Sequence, residues 1–141
     1  MTNQNAQSTT LPGKLREIAH RYIEAGWQRG DVEAFDQLLA AGFVNRGSNG
    51  GGATSEAFKS GIIALFAGLP DFRTAIEDIV IDAAASKVAI RWMGTGTHTG
   101  TMMGMQPTGK RMSFRGIDIL RIENEHIVER WGESNAAEAL G

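Results

Sequence analysis

The sequence predicts an α+β fold: one domain in which helices come first and an antiparallel sheet wraps around them. Three observations predict it. The chain has 141 residues, which suits a single compact domain. Apolar residues recur at 3–4 spacing in three segments before Pro70. After Pro70 the period changes to two and persists through four long segments. Three helices followed by a run of strands point to α+β organisation rather than to alternating βαβ units.

The opening "MTNQNAQSTT" is polar and lacks the apolar core of a signal peptide. Residues 1–13 read as a disordered lead-in, and 14–141 as the domain. In "KLREIAHRYIEAGWQR" (14–29), Leu15, Ile18, Ala19, Tyr22, Ile23 and Gly26 fall on one helical stripe that ends at Trp27. Gly30 is its stop, and Asp31 caps a second, short helix, "VEAFDQLLA". Phe43, Val44 and Asn45 form a short extended piece, followed by the flexible loop "GSNGGG". Thr54 or Ser55 starts the third helix, with Phe58, Ile62, Leu65 and Phe66 inward, and Gly68 ends it. The strands are "FRTAIEDIVID", "KVAIRWMGTGTHTG", "KRMSFRGIDILRI" and "HIVERWG", with Pro107-Thr108-Gly109 as a turn between the second and third.

Composition excludes several classes. Fourteen basic and sixteen acidic side chains give a formal charge of −2, which offers no electrostatic case for nucleic acid or an anionic membrane surface. No apolar run approaches the roughly 20 residues that span a bilayer. The sequence has no cysteine, so disulfides, thiolate nucleophiles and cysteine-ligated metals are excluded. These features suit a cytoplasmic protein.

The segment "RWMGTGTHTGTMMGMQPTGK" (91–110) is rich in glycine but matches no phosphate-loop spacing, and it does not join a strand to a helix. Its glycines read as bends in a long strand. His20, His98 and His126 share no metal-ligand spacing, so no metal is expected. His98, on a strand among small residues, is either a local hydrogen-bonding residue or an acid–base group facing a pocket.

Strand alternation places Asp118 with Met112, Phe114, Gly116, Leu120 and Ile122 on the more apolar face. A carboxylate there must be paired, protonated or lining a polar pocket. The readings are a buried salt bridge to Arg91 or Arg130, a functional carboxyl, or both. The register of the last hairpin decides what faces it. A two-residue loop at Asn124-Glu125 sets Asp118 against Trp131, with Glu129 on the same face. A three-residue loop sets it against Arg130, with Gly132 beyond. Tyr22 is either core or a hydrogen-bond donor to a ligand oxygen, and Trp27 and Trp92 are core or pocket wall. Ile117 and Ile119 lie on the opposite face of the Asp118 strand, consistent with a covered surface.

From about residue 14 to 132 the sequence resembles the SnoaL-like polyketide cyclases, or ester cyclases, of the nuclear-transport-factor-2-like superfamily. The resemblance is carried by Trp27-Gln28-Arg29-Gly30-Asp31, Leu69-Pro70-Asp71, Arg91 through Gly-Thr-His98-Thr-Gly to Pro107-Thr108-Gly109, and Ile127-Val128-Glu129-Arg130-Trp131. It implies a cone-shaped, curved antiparallel sheet closed by three helices around a central apolar pocket, and dimerisation through the outer sheet face. It also implies aldol chemistry on an apolar carbonyl compound, without metal or cofactor, driven by a pocket carboxylate. The family's catalytic aspartate falls on Gly132, and the position of a pocket histidine is taken by Asp118. Tyr22 and Asp118 also match the tyrosine and protonated aspartic acid that hold an enolate in the more distant ketosteroid isomerases, a pairing described in general accounts of pKa tuning. The isomerase base would fall near Asn45 or Arg46, which leaves Asp71, Glu129 and His98 as base candidates.

The expectation is therefore an enzyme that moves a proton through an enolate of a polycyclic carbonyl compound. Its catalytic residues would be Asp118, His98 and Tyr22, and its substrate contacts Trp27, Trp92, Arg130, Glu129, Asp71 and Phe114. The alternatives are a family member of the polyketide-hydroxylase type and a small-molecule binding protein without catalysis.

Overall fold

The structure, a computed structural model, describes residues 10–47, 52–102 and 104–135. Helix α1 (Leu11–Tyr22) begins three residues earlier than the sequence pattern predicts. Thr10 is the reason: its hydroxyl accepts from the Gly13 amide at 3.2 Å, and Pro12 sits in the first turn, where no amide hydrogen is needed. The helix widens into a π-helical segment, Ile23–Gln28, and the chain leaves it through Gly30 at φ +64°. Asp31 then accepts from the Ala34 amide and opens a 3₁₀ turn, Val32–Ala34, that runs into α2 (Phe35–Leu38).

The second helix is shorter than predicted. Leu39 and Ala40 belong instead to strand β1 (Leu39–Arg46), because the chain there is captured by pairing with the last strand. The two-residue strand β2 (Gly52–Ala53) folds back on β1. Thr54 caps helix α3 (Ser55–Gly68) by accepting from the Ala57 amide at 3.2 Å. Four long strands follow: β3 (Arg73–Asp82), β4 (Lys87–Thr97), β5 (Arg111–Glu123) and β6 (His126–Ser134). Most of the loop predicted over 47–52 lies outside the described residues.

The sheet order is β2-β1-β6-β5-β4-β3. All pairs are antiparallel except β1 with β6, which is parallel. That pair departs from the all-antiparallel expectation. The inner face of the sheet meets the helices in one core, with Leu15, Ile18 and Tyr22 of α1 and Phe58 and Ile62 of α3 against Val88, Ile90 and Leu120. Strand glycines leave room for rings: a Cβ at Gly94 would strike the ring of Phe72, and one at Gly116 the ring of Trp92. Ile117 and Ile119 are exposed on the outer face. Among the described residues no helix is long and apolar enough to cross a membrane.

The β5–β6 hairpin resolves the register in a way neither alternative anticipated. Asn124 and Glu125 both have positive φ, 50° and 63°, and form a two-residue turn between Glu123 and His126. The pairing then slips. Ile122 pairs with Ile127, but Arg121 pairs with Glu129, so Val128 is an extra residue. This bulge advances β6 by one position. Asp118 consequently opposes Gly132, and Leu120 opposes Arg130. Arg130 is thereby placed on the inner face and Glu129 on the outer face.

Candidate functional site

Between α3, the end of α1 and the inner face of the sheet lies a cavity of about 460 Å³, well inside the range of roughly 300–1,000 Å³ typical of small-molecule sites. Its walls are mostly apolar, and include Trp27, Phe58, Phe72, Trp92 and Phe114. At one pole stand Asn45, Asp118 and Arg130.

The pole is built by three elements that are far apart in sequence. Strand β5 supplies Asp118, which is buried. Helix α1 supplies Tyr22, whose hydroxyl donates to Asp118 Oδ2 at 2.6 Å. Strand β6 supplies Arg130. Its Nε donates to Asp118 Oδ2 at 3.0 Å and to the Tyr22 oxygen at 2.6 Å. Its Nη2 donates to Asp118 Oδ1 at 3.3 Å, and its Nη1 to Asn45 Oδ1 at 2.8 Å. Trp92 completes the set by donating Nε1–H to Asp118 Oδ1 at 3.2 Å. Each Asp118 oxygen thus accepts two hydrogen bonds. The guanidinium also lies over the rings of Phe58 and Trp27, 5.1 and 5.6 Å from their centroids, where π-faces favour a cation.

Electrostatics follow from burial. Burial pushes the Tyr22 hydroxyl well above its ordinary value, Arg130 works against this, and Asp118 adds to it. The net result is a neutral phenol that keeps its proton and donates it. Burial opposes the charge on Arg130, but Tyr22 and Asp118 outweigh that penalty and hold the guanidinium firmly protonated. A buried charge pair persists when hydrogen bonds offset its desolvation, and here both Asp118 oxygens and all three Arg130 nitrogens are engaged.

Gly132 matters to this geometry. A Cβ at position 132 would stand 2.4 Å from Arg130 Nη2 and 2.6 Å from Cζ. The guanidinium therefore occupies the space that any side chain at 132 would fill. Trp27 Nε1 is buried and makes no hydrogen bond to a described group. It is near enough to the Tyr22 oxygen to favour negative charge there, but the geometry is not that of a bond.

Of the residues singled out from the sequence, Tyr22, Trp27, Trp92, Phe114, Asp118 and Arg130 come together here. The Tyr22 and Asp118 side chains bond to each other and to Arg130, however. They do not point side by side into the cavity as the isomerase resemblance implies. Three residues do not line the cavity. His98 lies beyond the end of the β4–β5 ladder, since Thr97 is its last paired residue. The chain turns there, with the Gly109 amide donating to the His98 carbonyl. His98 is buried against the 98–110 connection, with Nδ1 3.1 Å from Thr108 Oγ1. Asp71 is exposed and ties β3 to β4 by accepting from the Thr97 amide and hydroxyl at 2.7 and 2.9 Å. Those bonds, the backbone one first, hold its carboxyl below the ordinary range. The bulge turns Glu129 outward, where it pairs with Arg46 and Arg121.

Sequence reasoning missed Phe58, Phe72 and Thr74 as cavity wall. Phe58 was visible only as a core position of α3. Among the described residues no cluster of His, Cys, Asp and Glu could hold a metal ion.

A family model described as SnoaL-like polyketide cyclase matches residues 17–140. No curated protein matches the chain. Among solved structures the chain is similar to AclR from Streptomyces galilaeus, described as a candidate hydroxylase, with 24% identity and a TM-score of 0.82; the match covers 92% of this chain and 79% of that one. It is also similar to a candidate SnoaL-like polyketide cyclase from Jannaschia sp. CCS1, with 15% identity, a TM-score of 0.83, and 96% and 95% of the two chains covered. IdmH from Streptomyces antibioticus, described as a candidate polyketide cyclase, is 25% identical with a TM-score of 0.78, over 89% of this chain and 95% of that one.

Proposed function

The chain belongs to the SnoaL-like polyketide cyclase family, and from that premise we propose that it is a cofactor-independent enzyme moving a proton through the enolate of an apolar, polycyclic carbonyl compound. The observation that carries the reading is the Asp118–Arg130 pair at the floor of an apolar cavity. A carbonyl oxygen placed at Arg130 would be polarised by a fixed, desolvated cation, which stabilises the enolate oxygen as it forms. Asp118 is the buried carboxylate on the cavity wall. Its Oδ1 has the longer contacts, 3.2 and 3.3 Å, and is the oxygen that would accept the α-proton. The C–H electrons pass into the C=C bond of the enolate, and the carbonyl π-pair moves to oxygen. Return of the proton to a different carbon completes an isomerisation. In an aldol closure the enolate carbon bonds to a second carbonyl, and the proton goes to the new alkoxide.

The test is solvent exchange. Incubating 2-tetralone with the protein in D₂O, and following loss of its α-proton signals by NMR, is expected to show exchange well above the buffer rate. Asp118→Asn and Arg130→Gln should abolish the excess. Exchange at the buffer rate, with tetralone bound, would remove the enzymatic reading.

A binding protein without catalysis is the second reading. It is favoured by the saturation of Asp118, whose two oxygens each accept two hydrogen bonds and which must release one to act as a base. Under that reading bound probes are recovered unchanged and undeuterated.

A further inference from the structure

Helix α3 holds a glycine that its own packing does not explain. Gly61 lies in the interior of Ser55–Gly68, where glycine is poorer than alanine because it loses more backbone freedom on folding. Two glycines elsewhere in the helices are forced by crowding. A Cβ at Gly26 would strike the ring of Phe35, and one at Gly68 the side chain of Met102. Gly61 is under no such pressure. Among the described residues, a Cβ placed there meets no atom within 4 Å outside the adjoining helical backbone. Its φ is not positive either, so the backbone conformation does not call for glycine.

The open space in front of Gly61 is the cavity. The α3 residues that line it fall on one arc of the helix, given about 3.6 residues per turn. Ala57 and Ala64 stand on one side of Gly61, Phe58, Ile62 and Leu65 on the other, and all of them line the cavity together with Gly61. Gly61 is therefore inside that arc and not at its edge. Side chains on a helix lean over the turn toward its N-terminus. From position 61 that turn presents Ala57, which is itself cavity wall. A side chain at 61 would thus lie in the cavity. The opposing wall is the sheet, with Trp92 of β4 and Phe114 of β5. The missing side chain widens the gap between helix and sheet.

We propose that Gly61 is a specificity-determining residue of this cavity: the space left by its missing side chain receives one further fused ring of the ligand, so that the size of residue 61 sets the largest ring system admitted. A flat ring can approach a helix backbone closely only where no Cβ stands in the way. A leucine side chain has as many carbons as one more fused ring adds. The two compete for the same space, and packing at interior density leaves no room for both. The inference rests on the proposed function for the choice of cavity and of a ring ketone as ligand; it concerns the size limit and needs no turnover.

The test is calorimetric titration of the full chain, of Gly61→Ala and of Gly61→Leu with two ketones that differ by one fused ring, 2-tetralone and 3,4-dihydrophenanthren-2(1H)-one. The unchanged chain should bind the larger ketone about tenfold more tightly, from the apolar area of the extra ring. Gly61→Ala should narrow that ratio and Gly61→Leu should abolish or invert it, while affinity for 2-tetralone changes by less than about threefold. Both variants should melt no lower than the unchanged chain, since each puts a better helix former in a helix interior. The melting measurement separates filled space from damage, and if Gly61→Leu unfolds, Gly61→Ala decides by the same ratio. A folded variant that keeps the full preference for the larger ketone overturns the inference. So does an unchanged chain that binds both ketones equally or neither. Exchange of tetralone with a size preference indifferent to residue 61 removes this inference and leaves the enzymatic reading. A preference that follows residue 61 without exchange does the reverse.

Discussion

Tyr22 and Asp118 stand 96 positions apart and share a 2.6 Å hydrogen bond inside the protein. The bond joins the first helix to the fifth strand, and Arg130 of the sixth strand closes the triangle at 2.6 and 3.0 Å. Three elements are therefore locked by one polar cluster, which is also the polar pole of the cavity. Stability and recognition meet in the same side chains.

Arg130→Met should cost about 3–5 kcal/mol of stability, because it leaves a buried carboxylate without its cation. The double variant Asp118→Leu/Arg130→Met should recover much of that loss, since the uncompensated charge is gone. Urea unfolding of the two singles and the double measures the coupling. Simple additivity would mean that the pair is not held together as described.

Tyr22→Phe should cost about 1–3 kcal/mol, the range for a buried hydrogen bond to a charged partner left unmade. The ring itself is kept, together with its stacking on Phe58 at 6.4 Å and 5°. Circular dichroism should therefore stay native while the midpoint of unfolding falls. In the tetralone assay the variant should lose rate as well, because Arg130 loses one of its fixed partners.

Gly132→Ala is expected to fold and to bind poorly. The added methyl would meet the far end of the Arg130 side chain, which must shift away from Asp118 and Asn45 to make room, so some stability is lost as well. What it loses is the placement of the guanidinium. Affinity for 2-tetralone should drop by more than the stability does.

Gly100→Ala is the contrasting case. Its Cβ would stand 1.9 Å from the carbonyl oxygen of Ala67, and the Gly100 amide donates to the Gly68 carbonyl at 3.0 Å. Backbone cannot move as a side-chain tip does, so a loss of about 1–3 kcal/mol or more is expected. A native melting temperature would show that the connection after β4 does not rest on α3.

Stability should fall in acid partly through Glu129. Hydrogen bonds from Arg46 and then Arg121 hold its carboxyl below the ordinary value of 4.5. A depressed carboxyl stabilises the fold fully above its unfolded value, and that contribution is lost as pH falls through the folded one. Glu129→Gln should therefore lower stability at neutral pH and flatten the acid limb below about pH 4.5. Denaturant midpoints between about pH 3 and pH 7 would check the sign.

Much of the fold was legible along the chain. The inward stripe of α1, the Thr54 cap and the alternation that buries Asp118 all depend on local periodicity, and the structure reproduces them. Arg130 was one of two named partners for Asp118, and Trp27, Trp92 and Phe114 line the cavity, while Tyr22 stays buried behind it on Asp118. His98, Asp71 and Glu129 do not. Their positions depend on where a ladder ends, on which strands an exposed carboxylate ties together, and on a bulge. None of these leaves a periodic trace.

The order of elements, the apolar face of each strand and the presence of a carboxylate inside were determined by the sequence alone, because side-chain period is a local property of the backbone. Whether Glu129 or Arg130 faces that carboxylate was decided only in three dimensions. The turn at Asn124-Glu125 is readable, but Val128 steps out of the ladder four residues before Gly132, the partner of Asp118. One extra residue exchanges the two faces of a strand. The bulge turned an acidic neighbour outward, turned an arginine inward, and so set the chemistry of the pocket.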